Sequence, residues 1–253
     1  MAYINGKKIV FSPKVIINGD TDAAFEEGKK AEEKAFWDII LQKGNITDLR
    51  CAFYMWDIDY IRPPYKLTPT DQFSGYMTFS SCENLKMVEK AHFDFSKKAT
   101  GTNANASWQY TFSGCYNLKV IEDIGLTPQY SYLYTFRNCQ KLETIEKLGC
   151  DANTGFSSAF TNCYALKNIT IDGTIGKNGF NISAATKLSK ASILSILNAC
   201  NIDVIGKGIS ITLPKMCIDG ATDTEALMSE NGDAELYGAK MAAISYGYSF
   251  VFA

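Results

Sequence analysis

Glu89, Glu122, Glu146 and Thr170 occupy one position in a phrase that recurs through the middle of the chain, directly after its last apolar residue. If the copies stack as rungs, side chains at that position form a column with a step of about 5 Å. Two carboxylates at that separation are the arrangement of a retaining glycosidase, one serving as acid and the other as nucleophile. The same column can instead hold a cation or a polar ligand. Against hydrolysis stand the exposure of the position, the nearby Lys86, Lys119 and Lys167 that screen it, and the lack of pocket walls to raise one carboxyl pKa. A polar-ligand site and a solvated acidic stripe are the better supported readings, and the chain is not expected to be an enzyme. Like charges side by side on a sheet cost stability, so the column is itself unexpected.

A second set of candidates is aromatic. Tyr110, Tyr116 and Tyr164, with Trp108, Tyr130 and Tyr134, fall at or beside the corners of each copy. Aromatic rings next to polar residues suit sugar or protein recognition, and they equally suit corner packing. Other chemistry has little to stand on. There is one histidine, His92, and no Cys-x-x-Cys, so neither zinc nor another cofactor is expected. Gly173-x-x-Gly176-x-x-Gly179 lacks the lysine of a phosphate loop and reads as a turn cluster.

The elements that must position these residues follow from the phrase itself. Its copies are Phe79-x-x-Cys82-x-x-Leu85-x-x-Val88, Phe112-x-x-Cys115-x-x-Leu118-x-x-Ile121, Phe136-x-x-Cys139-x-x-Leu142-x-x-Ile145 and Phe160-x-x-Cys163-x-x-Leu166-x-x-Ile169, with cysteine steps of 33, 24 and 24 residues. A period in that range marks a supersecondary unit that buries its apolar face only against its neighbours, hence a solenoid. Four residues before each Phe stand Gly75, Trp108, Tyr132 and Phe156, and the aromatic i, i+4 pairs predict a short helix or 3-10 turn facing the core. A strand of two to four residues should follow around the Val or Ile. Equivalent cysteines on stacked rungs point in parallel and do not converge as a disulfide requires, so Cys82, Cys115, Cys139 and Cys163 read as buried, reduced, small apolar residues.

Around the repeats the chain divides into three parts. Residues 1 to 44 read as short strands with Asn5-Gly6 and Asn18-Gly19 turns, then a helix from the Asp20-Thr21-Asp22 cap to Gly44. The charged first half of that helix is either a solvated face or a short oligomerisation coil that would make the chain a homo-oligomer. Residues 45 to 185 hold the solenoid. Phe53-x-x-Trp56 reads there as a capping turn, since Asp59 and Arg62 stand where Leu and Ile belong. The polar stretch 101 to 107 reads as a loop. Residues 186 to 253 read as a cap of helix (189–200), strand (209–213), helix (235–244) and strand (248–252). With 253 residues, 46% hydrophobic, and 25 basic against 27 acidic residues mixed along the chain, no basic stripe exists for a nucleic acid. No start of the Sec type and no apolar run near 20 residues is present, so neither Sec export nor membrane insertion is expected.

The phrase Phe-x-x-Cys-x-x-Leu-x-x-Ile over residues 76 to 171 resembles the BspA-like leucine-rich repeats of bacterial surface and prophage proteins. The opening Ala2-Tyr3-Ile4-Asn5-Gly6-Lys7, the passage Asp22 to Asp38 and the closing Leu188-Ser189-Lys190-Ala191-Ser192-Ile193-Leu194 are similar to tail-associated structural proteins of phages and prophages from gut Firmicutes. The resemblance implies an α/β solenoid, a leucine-rich repeat stack with short strands and helical or 3-10 turns, a leading strand-helix segment and a βα cap. It further implies a non-enzymatic virion component, tail- or fibre-associated, whose partners are other virion or surface proteins and a host cell-surface glycan or protein. The alternative is a bacterial interaction or adhesion module, cytoplasmic or on the surface by a non-Sec route.

Overall fold

A computed structural model describes residues 2–4, 7–9, 51–57, 59–62, 66–68, 75–96, 108–126 and 131–253. The expected helix between residues 20 and 44, the 101–107 loop and Tyr130 lie outside them. Strands β1 (Ala2–Ile4) and β2 (Lys7–Ile9) pair antiparallel around Asn5-Gly6, as the turn dipeptide predicts.

The apolar phrase organises the middle of the molecule. Strands β3 (Met87–Val88), β4 (Val120–Ile121), β5 (Thr144–Cys150) and β6 (Asn168–Gly173) form a parallel sheet in sequential order. Its register sets Val88, Ile121, Ile145 and Ile169 side by side, and all four point inward with the four phrase leucines. The last two strands exceed the expected length, because after a register shift Leu148 to Cys150 pair again with Ile171 to Gly173.

Opposite the sheet the phenylalanines form a ladder. Phe53, Phe79, Phe112, Phe136 and Phe160 stack with centroid steps of 5.2, 5.2, 5.8 and 5.5 Å and near-parallel planes, within the favourable range for offset rings. Phe53 is thus the first rung among the described residues rather than part of a capping turn. Ile61, buried, takes the place of Val88, because Tyr60 pairs with Met87 and the carbonyl of Asp59 accepts from Lys86 N. Counting from Phe53 by the phrase puts Arg62 at that place; the first unit is one residue shorter.

The turns around each Phe are not a helix, but they share the i to i−3 bonding of the 3-10 alternative. Internal N–H to C=O bonds run from residue i to i−3, as in Thr78 to Gly75, Ser80 to Met77 and Cys82 to Phe79. Between them, every second N–H leaves the unit: Trp108, Tyr110, Phe112 and Gly114 donate to the carbonyls of Ser131, Leu133, Thr135 and Arg137 in the next copy. That alternation requires left-handed residues two before and two after each Phe: Cys51 and Met55, Met77 and Ser81, Tyr110 and Gly114, Tyr134 and Asn138, Ser158 and Asn162. A helix would turn its N–H groups beyond the first turn to its own carbonyls; this backbone shares half of them along the stack.

The small residues of the phrase complete the bonding. Cys82, Cys115, Cys139 and Cys163 each donate Sγ–H to the carbonyl of the preceding unit's Phe, at 2.8 to 3.1 Å. None of the eight cysteines is in a disulfide. Burial pushes the Cys82 and Cys163 thiols up to about 12, which makes them inert. Thr111 and Thr135, just before their Phe, donate to the carbonyls of Gly75 and Trp108 one unit back. Gly75 itself has no alternative, since a Cβ there would collide with the indole of Trp108.

Past the last phrase, Ile182, Ala185 and Leu188 repeat the i to i−3 turn in shortened form. Helix α1 (Lys190–Asn198), capped by Ser189, then lies where another strand would pair. Ser192 and Ser195 Oγ accept from the N–H groups of Ile169 and Ile171 at 2.9 and 2.8 Å, and Ser192 Oγ donates to Lys167 O. The edge of β6 is thus satisfied by hydroxyls. Strands β7 (Ser210–Leu213) and β10 (Ser249–Phe252) pair parallel. Between them come β8 (Met216–Cys217), β9 (Thr222–Asp223), α2 (Thr224–Leu227) and α3 (Ala234–Ser245). The two helices begin at Asp223 and Asp233, whose carboxylates accept from first-turn N–H groups.

Candidate functional site

The outward residues of the sheet and its flanking turns lie in columns, and each column has its own chemistry. The carboxylate column is held by the fold. Glu89 accepts from Arg62 at 2.6 and 3.1 Å, so the guanidinium holds its carboxyl below the usual carboxylate range. Glu122 Oε2 accepts from Lys90 N at 2.9 Å, and Glu146 Oε2 from Asp123 N at 3.0 Å. Each carboxylate therefore reaches one unit back, Glu89 to a guanidinium and Glu122 and Glu146 to backbone N–H groups just past the preceding strand, which accounts for like charges in adjacent rungs. Thr170 is exposed beyond Ile169.

The tyrosines do not form one site. Tyr110 lies in a corner ladder with Tyr76 (6.1 Å, edge-on) and Tyr134 (5.0 Å, stacked), and Arg137 covers the Tyr134 ring at 5.2 Å. Tyr116 and Tyr164 share another turn position, 38% and 52% exposed, with Gln140 between them in the intervening unit. Trp108 and Tyr132 are core; the Tyr132 hydroxyl donates to Gly149 O at 2.8 Å. Gly173 and Gly176 press on the carbonyls of Cys150 and Ala152, where a Cβ would clash, so close approach explains two glycines of that cluster, and Gly179 sits instead at a positive φ of 100°. Among the described residues no three metal-ligating side chains converge, and no helix is long and apolar enough to cross a membrane.

What the residue pattern did not reveal is a groove of about 320 Å³ on the outer face of the sheet, lined by Tyr60, Lys86, Met87, Asn117, Lys119, Val120 and Lys141. Met87 and Val120, paired in register, form its floor. Lys86 is bound to Asp59 at 2.6 Å. Lys141 Nζ donates to Asn117 Oδ1 at 2.7 Å, and Asn117 Nδ2 donates to the Glu83 carbonyl at 2.9 Å, which fixes the amide. The available signal was the recurrence of Lys86 and Lys119 at one repeat position, which reads equally well as screening of the glutamates.

In comparisons with known proteins, no family model, no curated protein and no solved structure matches the chain.

Proposed function

We propose that the chain is a non-enzymatic recognition protein, an α/β solenoid of leucine-rich repeats spanning residues 45 to 185 and closed by 186 to 253. Its setting is a phage or prophage virion, where it is associated with the tail or a fibre. The solenoid reading is supported by the in-register strands and the five-ring phenylalanine ladder. The non-enzymatic reading is supported by the carboxylate column, whose oxygens bond the frame that carries them. The observation that carries recognition is the sheet face itself: a rigid frame presents exposed polar side chains at fixed spacing around one groove. The virion setting rests on the likeness of residues 2–7, 22–38 and 188–194 to prophage tail proteins. Mass spectrometry of phage particles purified from the culture that carries the gene tests it. Recovery of the chain with the tail proteins is expected. Recovery only among soluble cell proteins would favour a bacterial interaction module with no virion role.

A further inference from the structure

We propose that the groove on the sheet face binds an anionic sugar unit, its carboxylate or phosphate held by Lys119 and Lys141 and its ring lying over Met87 and Val120. This deepens the recognition reading and rests on it only in taking the sheet face as a binding face. Three lysines from three consecutive units line the groove, but their surroundings differ. Lys86 is neutralised by Asp59. Lys141 has the neutral Asn117 as its bonded partner, and no ion pair within 4.0 Å engages Lys119 or Lys141 among the described residues. Glu89 and Glu122, beyond the strands, are bound to Arg62 and to Lys90 N, and Glu143 follows Lys119 in its own column without pairing to it. Two ammonium groups thus share a groove with a fixed amide and an apolar floor, which an anion with a small carbon body complements in charge and shape.

A sugar fits better than a peptide. A bound peptide gains affinity by pairing its main chain with a free strand edge, and the strands beneath the groove have none. Strand β3 is flanked by Tyr60 and β4, and β4 by β3 and β5. The groove offers the lysine ammonium groups and Tyr60, since both Asn117 amide hydrogens are already given to Glu83 O and Asn84 Oδ1; that set suits hydroxyls and an acidic group.

Titration of the full chain with glucuronate, glucose 6-phosphate, glucose and a tetraglutamate peptide, followed by NMR shift changes, tests the assignment. Binding of at least one anionic sugar in about the millimolar range is expected, with glucose weaker by about tenfold. The double substitution Lys119→Gln with Lys141→Gln should lose a similar factor, whereas Lys207→Gln, outside the groove, should change nothing. Carboxylate and phosphate arms distinguish the two sources of charge. The proposal is overturned if neither anionic sugar binds, if glucose binds as well as they do, if the double variant binds normally, or if the peptide binds more tightly than both sugars. None of these outcomes touches the particle assay, so the groove can fail while the virion reading stands.

Discussion

The stacked units and the cap meet the same physical demand, an edge of unpaired backbone groups, and answer it with different atoms. Inside the stack each unit's N–H groups enter carbonyls of the next copy, so the remedy is the repeat itself. At the cap the next copy is missing, and two serine hydroxyls one helical turn apart, Ser192 and Ser195, take the N–H groups of Ile169 and Ile171. The contrast teaches that regular sequence is needed only where backbone meets its own copy; elsewhere, a few polar side chains on a helix suffice.

Substitutions on the two sides should differ in kind. Phe136 sits between Phe112 and Phe160 in the ladder, fully buried. We expect Phe136→Ala to cost about 3 to 5 kcal/mol in denaturant melts; a loss comparable to that of a surface residue would mean the ladder is not the core of the stack. Ser192→Ala should cost about 1 to 3 kcal/mol, because it strands a buried N–H. Hydrogen exchange reads it more sharply: the Ile169 amide should lose protection while Ile145, inside the sheet, keeps it.

The legible part of this molecule is what repeats along one direction. Strand register, the inward leucines and the burial of four cysteines all follow from spacing. The cap's two expected helices and two expected strands fall within about two residues of their expected ends, whereas the short hairpin and helix between residues 216 and 227 were not expected. Three further things escaped. The first unit is one residue short, so Ile61 was hidden by counting forward from Phe53. The left-handed residues flanking each Phe are of many types, from Met77 to Asn138, and no composition rule marks them. The groove depends on which columns lie next to each other across the 33-residue step, and sideways proximity is not written in a period.

Smaller effects probe the ends of the stack. Arg62 holds Glu89 in its charged form, so the pair contributes stability that is present above the ordinary glutamate pKa and is lost as pH falls through the lowered folded value. Arg62→Met should therefore lower the unfolding free energy at neutral pH by less than about 1 kcal/mol, because Arg62 is half exposed, and this should appear as a lower Tm. The difference from wild type should vanish in acid; a gap that persists there would point to packing over charge. Met55, 64% exposed, sits at φ 61° in the first unit. Met55→Gly should stabilise by about 0.5 kcal/mol, since glycine adopts that conformation without a Cβ penalty; a loss in a thermal melt would mean that the methionine side chain packs.

The peptides that join one turn to the next all face the same way, N–H toward the C-terminal side and carbonyl toward the N-terminal side. In the parallel strands successive peptide dipoles alternate and nearly cancel. Among the peptides that join the turns they add, at about 3.5 D each, offset in part by the intervening carbonyls of Gly75, Phe79, Trp108 and Phe112, which turn toward donors of the next unit. Among the described residues this row of dipoles runs from the carbonyls of Ala52 and Tyr54 at its negative end to the N–H groups of Ser158, Phe160 and Asn162, in the last phrase-bearing unit, at its positive end. Each added repeat would lengthen that column of aligned dipoles, and anionic groups would be favoured at one end of the stack and cationic groups at the other.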